Sequence, residues 1–511
     1  MFMKNIVVTV WVAVIALICG EGMLRMIDGY PLDRLALGDL PTSRSSNERT
    51  KLSDAVMRSF IDDIRTPEGV ENNWFFTSPP SLPERRPLNS AEIAFYHEKV
   101  STNRSWAQQV TMEYNEKYVK EIVCARRYGI ANFKDLPRPV AYFSVPDGGP
   151  NPHYRLLPSR KFPSGMSTNQ YGWRGADITF KKPKNTIRIA FLGSSTTQNF
   201  REASFSYPEY VGSWLNMWAR ESAYNITFET INSARAGMSS TGIAKVLRFE
   251  VIPLEPDFAI YYEGSNQFSF ADLLTYPNKD RDMSAGQSID NEIERARGWG
   301  YRHSATMRRL WSLDTSQDAE LLKEVQKPAY ILNWPEDVNE RNPDLSHPKL
   351  PLSLSGILKD IEAIRNDMDS IEGELILSSF VWQVWDGMEL QGVRDWNVFT
   401  YLNKIFWPYK YSDMRRMADF QNLVFAKYAR QKGLDFLDVA SLIPRDIRMF
   451  RDSIHAHEEG FKYRAWITFL KLIPIMEKHI TSGRLPNAGA SPHDRHPSYA
   501  ASEAGPLPCD L

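Results

Sequence analysis

Four short segments of this 511-residue chain carry side chains suited to nucleophilic chemistry. The most informative is Ile187 to Thr197, IRIAFLGSSTT, in which an apolar run ends abruptly in Gly193, Ser194, Ser195, Thr196 and Thr197. A serine in a tight turn at the carboxyl end of a buried strand lies beside backbone N–H groups and a helix N-terminus, both of which hold developing negative charge. Taken alone, the segment reads better as a strand-to-helix turn with serine and threonine as N-caps. Three further segments reverse that judgement. Gly237 lies in the loop after a second strand. Asn266, within Glu263-Gly264-Ser265-Asn266-Gln267, follows a third. Asp452 and His455, within FRDSIHAHEEG, precede the last helix. Singly, each has an ordinary reading: a loop glycine, a turn asparagine, a surface histidine beside His457, Glu458 and Glu459.

The elements that must position these residues alternate along the chain. Strands are expected over 187–192, 226–231, 257–262, 374–382 and 435–439. Helices are expected over 207–220, 241–251, 356–369, 414–432 and 457–479, the first with Tyr207, Tyr210, Val211, Trp214, Leu215 and Trp218 at helical spacing. Strands alternating with helices imply right-handed crossovers and a parallel sheet with helices on both faces. The carboxyl ends of such strands share one edge, so the four segments can converge there. Two stretches interrupt the rhythm, 270–351 and 384–410. Both follow a strand's carboxyl end and could cover or shape a pocket. Upstream, 91–128 reads as one or two helices and 137–163 as irregular or edge-strand structure. Residues 481–511 read as a disordered tail.

Composition narrows the class. Basic and acidic residues number 61 and 62, so no charged field argues for nucleic acid or for a cationic partner. Three cysteines, Cys19, Cys124 and Cys509, make neither a disulfide framework nor a zinc ribbon. Adjacent ligands at a helix start (His457, Glu458, Glu459) or in a tail (His493, Asp494, His496) rarely close a coordination shell, so no metal and no cofactor is expected. Lys4 precedes an uncharged apolar run, Ile6 to Gly20, without a convincing cleavage site after it. Residues 1–27 are therefore expected to be an uncleaved signal anchor or transmembrane helix, with the bulk of the chain periplasmic or extracellular. The expected organisation is this anchor, a mixed, helix-rich N-terminal region over 28–165, a main domain over 166–480 carrying the two insertions, and the tail.

The four blocks together, FLGSSTT, NSARAGMSS, YYEGSNQ and RDSIHAHEEG, resemble those of the SGNH/GDSL hydrolase family, in that family's order. The resemblance covers roughly Asn169 to Ile480, and NQYGWRG (Asn169 to Gly175) is similar to a lead-in segment of its membrane-anchored or secreted members. It implies a three-layer α/β/α fold with a parallel, flavodoxin-like sheet. It also implies a triad of Ser195, His455 and Asp452, and an oxyanion hole made by the backbone N–H groups of Ser195 and Gly237 and the side-chain amide of Asn266. The implied activity is a serine esterase on an acylated carbohydrate or small ester. O-acyl transfer to a surface polysaccharide and non-catalytic glycan binding are the alternatives. Two departures stand out. Ser194 replaces the aspartate of Gly-Asp-Ser, which bears on how the turn is held. Gln267 replaces the aspartate after the block-three asparagine, which bears on the support of Asn266. The oligomeric state is left open.

Overall fold

The computed structural model describes residues 16–26, 32, 52–82, 142–144, 154–156, 161, 165–199, 203–270, 273–275, 303–307, 330–390, 398–399, 401–406 and 408–486. Its centre is a five-stranded sheet. Strand β1 (Thr186–Gly193) is buried along its whole length and pairs in parallel with β2 (Thr227–Asn232) on one side and β3 (Phe258–Tyr262) on the other. Strand β4 (Glu374–Ser378) continues from β3, and β5 (Phe436–Leu437) from β4, again in parallel. The order β2-β1-β3-β4-β5 places a topological switch between β1 and β3, where open α/β sheets leave a crevice.

Apolar side chains on both faces explain why β1 is an interior strand. Arg188 is the one charged residue inside that apolar run, and it is fully buried. Its guanidinium is bonded to Glu229 of β2 at 2.7 and 2.9 Å and to the carbonyls of Leu254 and Thr179. A buried cation is tolerable only with such partners.

Helices cover both faces. Successive strand residues point to opposite sides, and the pair ending β3 shows which helices lie where. Tyr262 meets Tyr207 of α2 (Tyr207–Glu221) and Arg464 of α6 (Glu458–Thr481). Tyr261 meets Phe425 of α5 (Tyr411–Lys432) on the other face. There α3 (Ser240–Val246) packs against α4 (Leu354–Asp369), and α4 against α5. A one-turn helix, α1 (Ser195–Gln198), follows β1 directly. Helices α2 and α6 are joined by an aromatic layer. The rings of Trp214 and Trp466 meet edge to face at 5.1 Å, and Phe75 from the N-terminal region stacks on Trp214 at 6.1 Å. The carbonyl of Trp74 accepts the Trp214 indole N–H at 2.9 Å.

Several expected boundaries move. The strand expected to reach Trp382 stops at Ser378. Beyond it, the N–H and carbonyl of Phe380 are taken by the Asn422 side chain, and the N–H of Val381 by the Tyr262 hydroxyl, so no ladder continues. The helix expected over 241–251 is α3 followed by a π-turn, Leu247–Val251. The chain beyond 480 is not wholly a tail: α6 runs to Thr481, Leu485 is buried in the core, and Arg484 pairs with Glu374. Within the first insertion, Leu274–Thr275 pairs antiparallel with Ile331–Leu332. In the N-terminal region, Tyr142–Ser144 pairs antiparallel with Tyr154–Leu156. Of the expected membrane anchor, residues 16–26 are helical, while 1–15 lie outside the described residues. Among the described residues no helix is long and apolar enough to cross a membrane. The one or two helices expected within 91–128 also lie outside the described residues.

Replacing Trp214 by alanine is expected to cost about 3–5 kcal/mol, the range for large core aromatics. Urea denaturation of the variant measures it, and a cost near zero would show that the layer does not join α2 to α6.

Candidate active site

Ser195 and His455 lie 260 residues apart in sequence, yet the Ser195 Oγ and His455 Nε2 are 2.7 Å apart. On the far side of the ring, His455 Nδ1 lies 2.9 and 3.0 Å from the two carboxylate oxygens of Asp452. Asp452 is buried, and its Oδ1 also accepts the N–H groups of Ile454 at 3.0 Å and His455 at 2.8 Å. Burial acts to raise the carboxyl's pKa. The adjoining imidazole and the accepted hydrogen bonds outweigh it, holding Asp452 below the ordinary aspartate range. An ionised aspartate there requires the proton on Nδ1 and leaves the Nε2 lone pair facing the serine hydroxyl.

Local structure explains each placement. Gly193 closes β1 where the chains crowd: a Cβ there would lie 2.2 Å from Thr197 Oγ1 and 2.5 Å from the carbonyl of Tyr262. Only glycine lets the turn press against the end of β3. In a one-turn helix only the first carbonyl finds a helical partner: that of Ser195 accepts the N–H of the C-cap residue Asn199 at 3.1 Å. Side chains from elsewhere satisfy the next two. The Thr196 carbonyl accepts from Arg464 (2.6 Å), and the Thr197 carbonyl from Asn232 at the end of β2 (3.1 Å). Arg174, from the NQYGWRG segment, is buried and donates to the carbonyls of Asn199 and Ala203, which fixes the loop leaving α1. On the base side, the turn carrying His455 is closed by the antiparallel bridge between Phe450 and Ala456 and by the Arg451 N–H donating to the His455 carbonyl at 2.8 Å.

The remaining expected residues lie in loops tied to the same edge. Gly237 is exposed with φ +79°, a conformation glycine adopts freely. The neighbouring Ala236 N–H donates to Gln198 of α1 at 3.1 Å. Asn266 is exposed, and its side-chain amide donates one N–H to the carbonyl of Met238, next to Gly237, at 2.9 Å. The amide's second N–H is then free for a ligand. Ser195, as the first residue of α1, has a backbone N–H with no intrahelical acceptor. The three expected donors therefore belong to loops bonded to one another.

One residue of this edge carries no signal in the sequence reading beyond lying in the third block. Glu263 is fully buried directly after β3, and its carboxylate accepts the Ser194 hydroxyl. Ser194 occupies the N-cap position of α1, but its side chain makes no cap hydrogen bond and turns to Glu263 instead. The doubt about Asn266 is also answered there: its backbone N–H is held by Glu263 at 3.2 Å, while the Gln267 side chain finds no hydrogen-bond partner among the described residues.

Metal-ligating types cluster elsewhere. Glu374, Asp435 and His479 approach one another near the ends of β4, β5 and α6 remote from the triad. The Arg484 guanidinium already pairs with Glu374 there, supplying the positive charge. His493, Asp494 and His496 lie outside the described residues.

No family model and no curated protein sequence matches the chain. Solved structures similar to it include a lipase and two esterases. One is a GDSL-like lipase from Bacteroides thetaiotaomicron, 12% identical, with a TM-score of 0.27 over 57% of this chain and 88% of that one. The second is a catalytic mutant of an acetylxylan esterase from Geobacillus stearothermophilus, 11% identical, with a TM-score of 0.30 over 56% and 94%. The third is a family 3 carbohydrate esterase from Clostridium thermocellum, 13% identical, with a TM-score of 0.28 over 57% and 98%.

A Gly193→Ala substitution is expected to force Thr197 or the end of β3 aside, at about 1–3 kcal/mol as for other overpacked sites. Urea denaturation with unchanged stability would show that the close approach is not a constraint.

Proposed function

We propose that the chain is a serine-dependent ester hydrolase that works through an acyl-enzyme on Ser195. The single observation that carries this reading is the unbroken relay from Ser195 Oγ through the His455 ring to Asp452, at 2.7 Å and 2.9–3.0 Å.

His455 Nε2 takes the hydroxyl proton as Ser195 Oγ attacks the ester carbonyl, and Asp452 stabilises the imidazolium that forms. The carbonyl π-pair moves onto oxygen. The backbone N–H groups of Ser195 and Gly237 and the free amide N–H of Asn266 receive that charge. As the tetrahedral intermediate collapses, the C–O bond to the alcohol breaks and His455 returns the proton to the departing oxygen. Water then attacks the acyl-serine by the same route. The pieces released are the acid and free Ser195.

The substrate class belonging to this proposal is an acylated carbohydrate or small ester, with deacetylation as the reaction, as the block resemblance implies. Aromatic rings at the rim fit a sugar face. The part-exposed ring of Tyr401 stands edge-on to His455 at 6.2 Å. The same proposal places the domain outside a membrane, anchored through residues 1–27.

Ser195→Ala is expected to abolish labelling by a fluorophosphonate probe and hydrolysis of p-nitrophenyl acetate. His455→Ala should slow hydrolysis by at least about a thousandfold while the circular dichroism spectrum is kept. Wild-type rates in either variant would remove that residue from the mechanism. Deleting Met1 to Gly20 should turn a membrane-pelleted protein into a soluble one with the same labelling rate. Continued pelleting would refute the anchor.

A further inference from the structure

The reaction above makes no use of Glu263, although burying a carboxylate completely is among the costlier arrangements a fold can hold. Its surroundings are built around it. Oε2 accepts the hydroxyl of Ser194, the residue before the nucleophile. Oε1 accepts the N–H groups of Ser265 at 3.0 Å and Asn266 at 3.2 Å. The backbone is pinned as well. The Gln421 amide of α5 donates to the Glu263 carbonyl at 3.2 Å and is itself held by the Trp382 indole N–H at 3.2 Å. One carboxylate thus ties the turn carrying the nucleophile to the turn carrying Asn266, across the switch between β1 and β3.

Resting on the esterase reading of Ser195, we propose that Glu263 is a positioning residue. Through Ser194 and the Asn266 backbone it sets the separation between the nucleophile and the side-chain oxyanion donor. It does so from the turn directly after β3. Every partner of Glu263 is a donor, so the ionised form is the one that makes all the bonds. Charge-assisted bonds are the shorter and stronger kind, suited to fixing a distance. Burial pushes its carboxyl above the usual glutamate range, so replacing it by the isosteric amide removes a desolvation cost, and the fold should survive. In Glu263→Gln the amide oxygen can still accept from Ser265 and Asn266. Its NH₂ then faces Ser194, which must turn from donor to acceptor. The charged link is lost while the volume is kept.

The alignment matters most when negative charge forms on the substrate oxygen, so the loss should fall on kcat rather than KM. The test uses the full chain, p-nitrophenyl acetate as substrate and fluorophosphonate titration to count competent serines. Glu263→Gln is expected to lower kcat per titrated site by about 10- to 100-fold with KM within about twofold. Ser194→Ala cuts the same link, so the double variant should be no slower than the slower single one. If Glu263→Gln does not fold, Ser194→Ala alone carries the test, with the same kcat-selective loss expected. An unchanged kcat per titrated site, or multiplying losses in the double variant, would overturn the positioning role while leaving the esterase intact. A wild-type protein that neither hydrolyses the ester nor takes up the probe would overturn the esterase reading, and this inference with it.

Discussion

The hydrogen bond between Ser195 Oγ and His455 Nε2 is the constraint to which the architecture answers. Its two ends enter the fold at opposite extremes of the domain. One follows β1, the first strand of the sheet in the chain, and the other precedes the last helix. A parallel sheet brings them to one edge, but an edge is many ångströms wide. The finer alignment comes from α6 lying on α2 through Trp214 and Trp466, since α6 begins just after His455 and α2 follows the nucleophile loop. Arg464 closes the link. Its guanidinium lies 4.1 and 4.3 Å from the ring centres of Tyr207 and Tyr262, and it donates to the Thr196 carbonyl at 2.6 Å. The helix that follows the base in this way also grips the turn that carries the nucleophile.

Buried charge is used repeatedly around the sheet. Arg188 pairs with Glu229, Arg174 with Glu209, Arg235 with Glu250 and Lys182 with Asp257, each largely shielded from water. Such pairs contribute little net stability relative to apolar packing, while breaking one leaves an uncompensated ion. Their value here is geometric. Lys182 and the Arg188 N–H both address Asp257, which joins the approach to β1 to the start of β3. The two strands that flank the switch are thereby held at their entry as well as by the ladder.

The sheet and its helices were legible in the sequence because their signals are local. The apolar runs of 187–192 and 257–262, and the helical spacing of Tyr207 to Trp218, depend on neighbours along the chain. The site was legible for a different reason: Ser195, Gly237 and Asn266 follow strands and Asp452 and His455 precede the last helix, in the order of the family blocks they resemble, and parallel topology then does the gathering. What escaped were contacts between remote segments. Nothing near Glu263 announces that its carboxylate will meet Ser194, 69 residues earlier. Ser194 itself has the ordinary look of an N-cap, and only the buried acceptor across the switch draws its side chain away. The early end of β4 was hidden likewise, because the groups that take over its backbone belong to Asn422, on a helix 42 residues later.

Arg174 precedes the first strand of the sheet, but the groups it holds follow that strand. A chain trimmed to begin at Thr186 would retain every strand and every residue of the triad. It would nonetheless leave the carbonyls of Asn199 and Ala203 without their guanidinium, on the stretch that leads out of the nucleophile turn. The smallest unit able to shape this turn therefore begins upstream of the sheet, and the Asn169 to Gly175 lead-in is an outlying piece of the reaction centre rather than a spacer.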